Sequence, residues 1–353
     1  MHRLISLMIA AALTLGLAGP AEAAAKKDFR VAWSIYVGWM PWGYAADAGI
    51  VKKWADKYGI TIDVVQINDY IESINQYTAG AFDGCVMTNM DALTIPAAGG
   101  VDSTALIVGD FSNGNDGVVL KGATDLKAIK GRKVNLVELS VSHYLLARGL
   151  SSVGLKESDI TVVNTGDADI VAAAAAPDVT AIVTWNPQLA AVKALPDAHL
   201  VFDSSDIPGE IIDLMVVNSG TLTDNPALGK ALTGIWYETV ALMAADTPEG
   251  KAARQAMAKA SGTDVKGFES QLATTRMFYT PADAAAFARD PALKRTMDLV
   301  RQFSFSHGLL GEGAKSADAV GISFADGSTL GDPARVKLRF TDTWMQQAAD
   351  SRL

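Results

Sequence analysis

The residues best placed for chemistry in this chain are carboxylates without basic neighbours. Residues 58–120 contain no Lys or Arg, yet they carry Asp63, Asp69, Glu72, Asp83, Asp91, Asp102, Asp110 and Asp116. Residues 157–192 and 194–229 repeat the pattern, and the second window holds Glu210 and Asp213. Asp91, Asp110 and Glu138 directly follow short β-rich runs, and ligands of α/β sheets sit beyond the carboxyl ends of strands. A cleft lined in this way has negative potential and repels anions. For any single acid, the alternative is a solvated surface position.

Aromatic residues crowd the same region. Trp33 and Tyr36 alternate with strand period and are expected in the core. Trp39 and Trp42 lie in a turn containing Gly and Pro, where burial is not demanded. Indole faces beside carboxylates suit a cation or a planar solute rich in N–H donors. Trp185, in the Thr184-Trp185-Asn186-Pro187 stretch at a strand end, has the same balance. Catalytic patterns are missing: His143, His199 and His307 are scattered without a nucleophile signature, and no Gly-rich phosphate loop follows a strand. Cys85 is the single cysteine and is expected as a small buried side chain. These patterns point to no enzyme chemistry, no cofactor and no metal.

The elements that must position these residues belong to a chain of 353 residues with a net charge of -9 and 49% hydrophobic content. That length allows about two domains. A pI near 5.0 excludes the basic face that nucleic-acid binding needs. Residues 1–23 read as a secretory signal with an apolar stretch too short to span a membrane, so the mature chain is expected in the periplasm without membrane insertion. β-rich runs at 29–35, 60–65, 84–87, 105–108, 117–120, 133–137, 160–163, 179–183, 200–202 and 214–217 alternate with helical stretches, predicting an α/β fold with a largely parallel sheet. Helices are expected at 41–58, 69–78, 90–98, 141–153, 168–176 and 187–194. From Ser219 to Gly308 the pattern is almost wholly helical, and 321–353 has Gly- and Asp-rich turns before a last helix expected at 340–349.

Five segments in order carry a family resemblance: DGVVLK (116–121), LKAIKGRKV (126–134), SHYLL (142–146), VGLKESDI (153–160) and AIVTWNP (181–187). Together they resemble the periplasmic substrate-binding proteins of ABC transporters of the nitrate, sulfonate, taurine and thiamine-precursor type. The resemblance implies a hinged two-domain α/β binding protein that hands one small molecule to a membrane permease. Its first domain would span 24–112, its second 113–214, and 215–353 would be a helix-rich return to the first. It also implies binding at 38–42, at 88–91 including Asn89, at the helix start 140–143 with Ser142 and His143, and at 185–187. Ser140 or Ser142 is expected as the N-cap of that helix.

No Lys or Arg is found at the positions that would hold an anion. The opening WSIYVGWMPWGYA (33–45) looks like the subgroup associated with urea and guanidine carboxylases. The expectation is therefore a monomeric trap for guanidine, urea or a related nitrogen compound. Asp91, Asp110, Asp116, Glu210 and Asp213 would supply the acceptors, two or three of them touching ligand, with tryptophan faces closing over it. A ligand-binding sensor module and an exported enzyme on the same fold are the alternatives.

Overall fold

A computed structural model describes residues 26–353; the expected signal, 1–23, lies outside the described residues. The short apolar runs become strands. β1 (Asp28–Trp33), β2 (Thr61–Gln66), β3 (Gly84–Thr88) and β4 (Ser103–Ser112) begin a first sheet. β5 (Asp116–Lys121), β6 (Lys133–Leu136), β7 (Thr161–Asn164), β8 (Ala181–Trp185) and β9 (Ala198–Asp203) form a second, and β10 (Ile212–Asn218) returns to the first. β3 is buried at every position, as expected of a strand covered on both faces.

In the first sheet β1 runs parallel to β2 and β3, and β10 lies between β3 and β4, antiparallel to both. The second sheet has the order β7-β6-β8-β5-β9, with β5 antiparallel to both neighbours. The chain thus forms two α/β lobes joined by crossings at 113–115 and 204–211. β10 lies wholly within the first sheet, so the chain has returned to it by Ile212.

Several helices differ from expectation for local reasons. The single helix expected at 41–58 is two, α1 (Met40–Asp47) and α2 (Ile50–Tyr58), separated at Gly49, whose φ of 76° interrupts the helix. α3 (Tyr70–Thr78) is capped by the Asp69 side chain, which accepts from Glu72 N–H. α4 (Asn89–Ala92) gives way to a π-helical turn at Leu93–Ala97, where Pro96 offers no N–H. α5 (Val141–Ser152) begins at the N-cap Ser140.

Beyond Ser219, helices Pro226–Ala244, Pro248–Ala260, Pro281–Ala288 and Pro291–Ser306 each open on proline in the first turn. This part is not wholly helical. β11 (Thr275–Met277), β12 (Gly321–Ser323), β13 (Thr329–Leu330) and β14 (Val336–Phe340) all join the first sheet, so Phe340 ends a strand and the last helix is Thr343–Ala349. No helix among the described residues is long and apolar enough to cross a membrane.

Close approach of helix Pro226–Ala244 to α2 depends on Gly234, where an added Cβ would lie 2.4 Å from the Trp54 ring. Gly234→Ala is expected to lower unfolding stability by about 1–3 kcal/mol in a urea titration. Gly166→Ala, where a Cβ meets nothing within 4 Å, is expected to change it by about 0.5 kcal/mol or less.

Candidate functional site

Strand register assembles the site. β10 sets Asp213 opposite Thr88 of β3 on one side and opposite Asp110 of β4 on the other. In the second lobe, the pairing of β5 with β8 sets Asp116 opposite Trp185. Thr88, Asp116, Trp185 and Asp213 surround a small cavity between the lobes. Its walls are Tyr36, Trp39, Tyr70 and Trp185, its acids are Asp116 and Asp213, and Thr88, Val141 and Ile211 complete it.

The aromatic walls are fixed to one another and to the acids. Tyr36 meets Trp39 edge-on at 5.0 Å between centroids, Trp39 lies 5.7 Å from Tyr70, and Tyr70 meets Trp185 edge-on at 5.7 Å across the lobes. The Tyr70 hydroxyl donates to Asp91 at 2.6 Å and accepts from Thr88 N–H at 3.0 Å. The Tyr36 hydroxyl donates to Asp110 at 3.0 Å. With both hydroxyls engaged by protein, what these rings offer the cavity is chiefly aromatic surface. The lobes are closed here, and Tyr70 N–H reaches Asp167 of the second lobe at 3.4 Å.

Asp91, Asp110, Asp116 and Asp213 are all almost wholly removed from water. Burial pushes Asp116 up to about 7 and Asp91 up to about 6. Burial also raises Asp110, and raises Asp213 well above its ordinary range, with the charge of Asp110 adding to the second shift. Asp213 lies opposite Asp110 in the β10–β4 pairing, and the Asp110 Oδ2 atom is buried without a hydrogen-bond partner. Hydroxyls supply most of the compensation: Ser112 donates to Asp116 at 2.5 Å and Thr88 to Asp91 at 2.8 Å. No Lys or Arg contributes to the titration of any of the four among the described residues. An aromatic box with uncompensated acceptors is chemically suited to a small cation.

Of the residues singled out from sequence, Trp39, Asp116, Trp185 and Asp213 line the cavity. Asp91 and Asp110 stand behind it, reached through Tyr70 and Tyr36. Asn89 is structural: its amide accepts from Ile212 N–H and donates to the Glu210 carbonyl, both at 3.1 Å, fixing the start of β10. Four other expected residues are not among the lining ones. Trp42 is core, stacked on Trp236 at 5.3 Å. Ser142 is buried in the first turn of α5 and is not among the lining residues, whereas Val141 is. His143 turns away toward Glu157, 3.2 Å from its Nε2. The Glu210 carboxylate is held by the Arg148 guanidinium at 2.8 and 2.9 Å and by the Tyr144 hydroxyl at 2.5 Å, so its charge is already neutralised.

Sequence reasoning missed Tyr70 and assigned Tyr36 to packing alone. The available signal for Tyr70 was its place directly after the N-cap Asp69, at the carboxyl end of β2.

The NMT1/THI5-like family profile matches residues 52–250. Among solved structures, the chain is similar to the alkanesulfonate-binding protein SsuA from Xanthomonas axonopodis pv. citri bound to MOPS. That match has 18% identity and a TM-score of 0.66, covering 84% of this chain and 99% of that one. The periplasmic aliphatic sulphonate-binding protein SsuA from Escherichia coli matches at 19% identity and a TM-score of 0.62, covering 81% and 89%. The periplasmic nitrate-binding protein NrtA from Synechocystis PCC 6803 matches at 13% identity and 0.58, covering 93% and 99%. At these identities the likeness is one of fold, that of the periplasmic binding proteins. No curated protein sequence matches the chain.

Raised carboxyl pKa values mean that the folded, ligand-free protein holds protons that the unfolded chain has released. Their stabilising contribution is full below about pH 4 and is lost as pH rises through 6 and 7. Thermal unfolding without ligand is therefore expected to show falling stability between pH 5 and 8. Asp213→Asn should flatten that fall and raise the Tm at pH 8 by a few degrees. An unchanged slope would show that the acids are hydrated.

Proposed function

The chain belongs to the NMT1/THI5-like family, and on that premise we propose that it is the solute-binding protein of an ABC importer, carrying a small nitrogen-rich cation to its permease in the periplasm. Guanidinium is the ligand we favour, with urea second. The observation carrying this reading is the set of buried, base-free carboxyls against aromatic walls. Guanidinium has N–H donors and no acceptor, matching Asp116 and Asp213, and its flat faces suit the Trp39 and Trp185 rings.

Urea would bring a carbonyl that needs a donor, and the N-terminal turn of α5 at Val141 is the nearest source of one. A sulfonate or nitrate, the ligands in the descriptions of the similar structures, would meet acids without a counter-charge. The 33–45 segment adds the resemblance to the subgroup associated with urea and guanidine carboxylases. Burial raises Asp116 and Asp213, so a cation bound against them would favour their ionised forms and couple binding to proton release.

A thermal-shift screen with guanidinium, urea, small amines, nitrate and taurine tests this. Guanidinium is expected to stabilise the protein, and calorimetry in buffers of different ionisation heat should show proton release on binding. Asp116→Asn combined with Asp213→Asn should weaken binding about 100-fold while the circular dichroism stays native. Stabilisation by nitrate or taurine alone would sink the proposal.

A further inference from the structure

Outside the cavity, three side chains join the lobes and have no part in the binding scheme above. His143 of α5 and Glu157, in the short turn Glu157–Asp159, belong to the second lobe. His307 caps helix Pro291–Ser306 of the first. Their nitrogen and oxygen atoms lie within 4.8 Å of one another. Glu157 Oε2 is 3.2 Å from His143 Nε2, and Oε1 is 2.7 Å from His307 Nε2. Phe303, one turn before His307, packs on Tyr144 edge-on at 5.3 Å and stacks on the His307 ring at 4.0 Å.

Two imidazoles and a carboxylate at this spacing invite a metal. The ring contacts argue otherwise. His143 Nδ1 accepts from Leu139 N–H at 3.1 Å, which places the neutral ring's proton on Nε2, where a metal would need a lone pair. His307 Nδ1 lies 2.8 Å from the Phe303 carbonyl and 3.1 Å from the Ser306 hydroxyl, and its Nε2 faces Glu157, so both ring nitrogens are already engaged by protein. A protonated ring there sits at the carboxyl end of a 16-residue helix, where the helix dipole favours it. The hydrogen bond from His143, and then that from His307, hold the Glu157 carboxyl below its ordinary range.

From this geometry we infer that Glu157 is an interlobe latch, gripped by His143 within its own lobe and by His307 from the other, which favours the closed form without touching ligand. The inference rests on the solute-binding reading. α5 couples the two sites, since Val141 lines the cavity and His143, two residues on, holds the latch. A contact made only on closure adds to the apparent affinity for any ligand that needs closure.

The test compares wild type with Glu157→Gln and, as a second variant, His307→Gln. Guanidinium is the probe, read by stopped-flow fluorescence and by small-angle scattering with and without ligand. Both variants should release guanidinium about tenfold faster, the size of one charge-assisted hydrogen bond, with the ligand-free Tm unchanged. Their ligand-free particles should be more expanded than wild type and close less completely. Unchanged release rates and scattering would overturn the latch. Micromolar zinc that slows release in wild type but in neither variant would overturn it in favour of a metal clamp. If guanidinium bound none of the three proteins, the ligand reading would fall, and ligand-free scattering would still decide the latch: equal dimensions would reject it, expanded variants would support it.

Discussion

Burying four carboxyl groups without a basic partner is the constraint around which this molecule is arranged. An isolated charge in such surroundings is costly, and proteins relieve the cost with a counter-charge, a proton or hydrogen-bond donors. Here hydroxyls from Tyr36, Tyr70, Thr88 and Ser112 provide donors, and burial beside Asp110 raises Asp213 toward its protonated form. That leaves an electrostatic deficit which a cation from outside can fill. On the proposed reading the empty site is less comfortable than the filled one, and some of the ligand's binding energy would come from relieving it.

Backbone topology makes the arrangement possible. β10 slots antiparallel between β3 and β4, so residues distant in sequence meet side by side at the strand ends. Asn89 then fixes where β10 begins by bonding both Ile212 N–H and the Glu210 carbonyl. Had β10 slipped by one residue, Asp213 would face the other side of the sheet. The aromatic walls come from three separate places, the turn after β1, the start of α3 and the end of β8.

Much of this was legible in the sequence because the determining signals are local. Runs such as Gly84–Thr88 have no polar alternation and read as strands buried on both faces, and the lysine-free windows marked the acids. What could not be read depends on partners far along the chain. Glu210 looked like a free acid, and only the fold brings up Arg148, 62 residues away, to neutralise it. Trp39 and Trp42 share one turn, yet helical geometry sends the second inward onto Trp236. The strands β11 to β14 span only two to five residues, too few to show a period, and exist because the first sheet has an edge to extend.

The two crossings between the lobes are bonded to each other. The Ser112 and Ser204 hydroxyls lie 2.6 Å apart, Ser204 accepts from Gly114 N–H at 2.8 Å, and Ser112 both donates to Asp116 and accepts from its N–H. Strands tied in this way swing about one pivot rather than two. Asp110 and Asp213 belong to one lobe, whereas Asp116 and Trp185, paired across β5 and β8, belong to the other. On the proposed reading the two carboxyls facing the cavity approach the cargo from opposite jaws, and the acceptor set is whole only where the jaws meet.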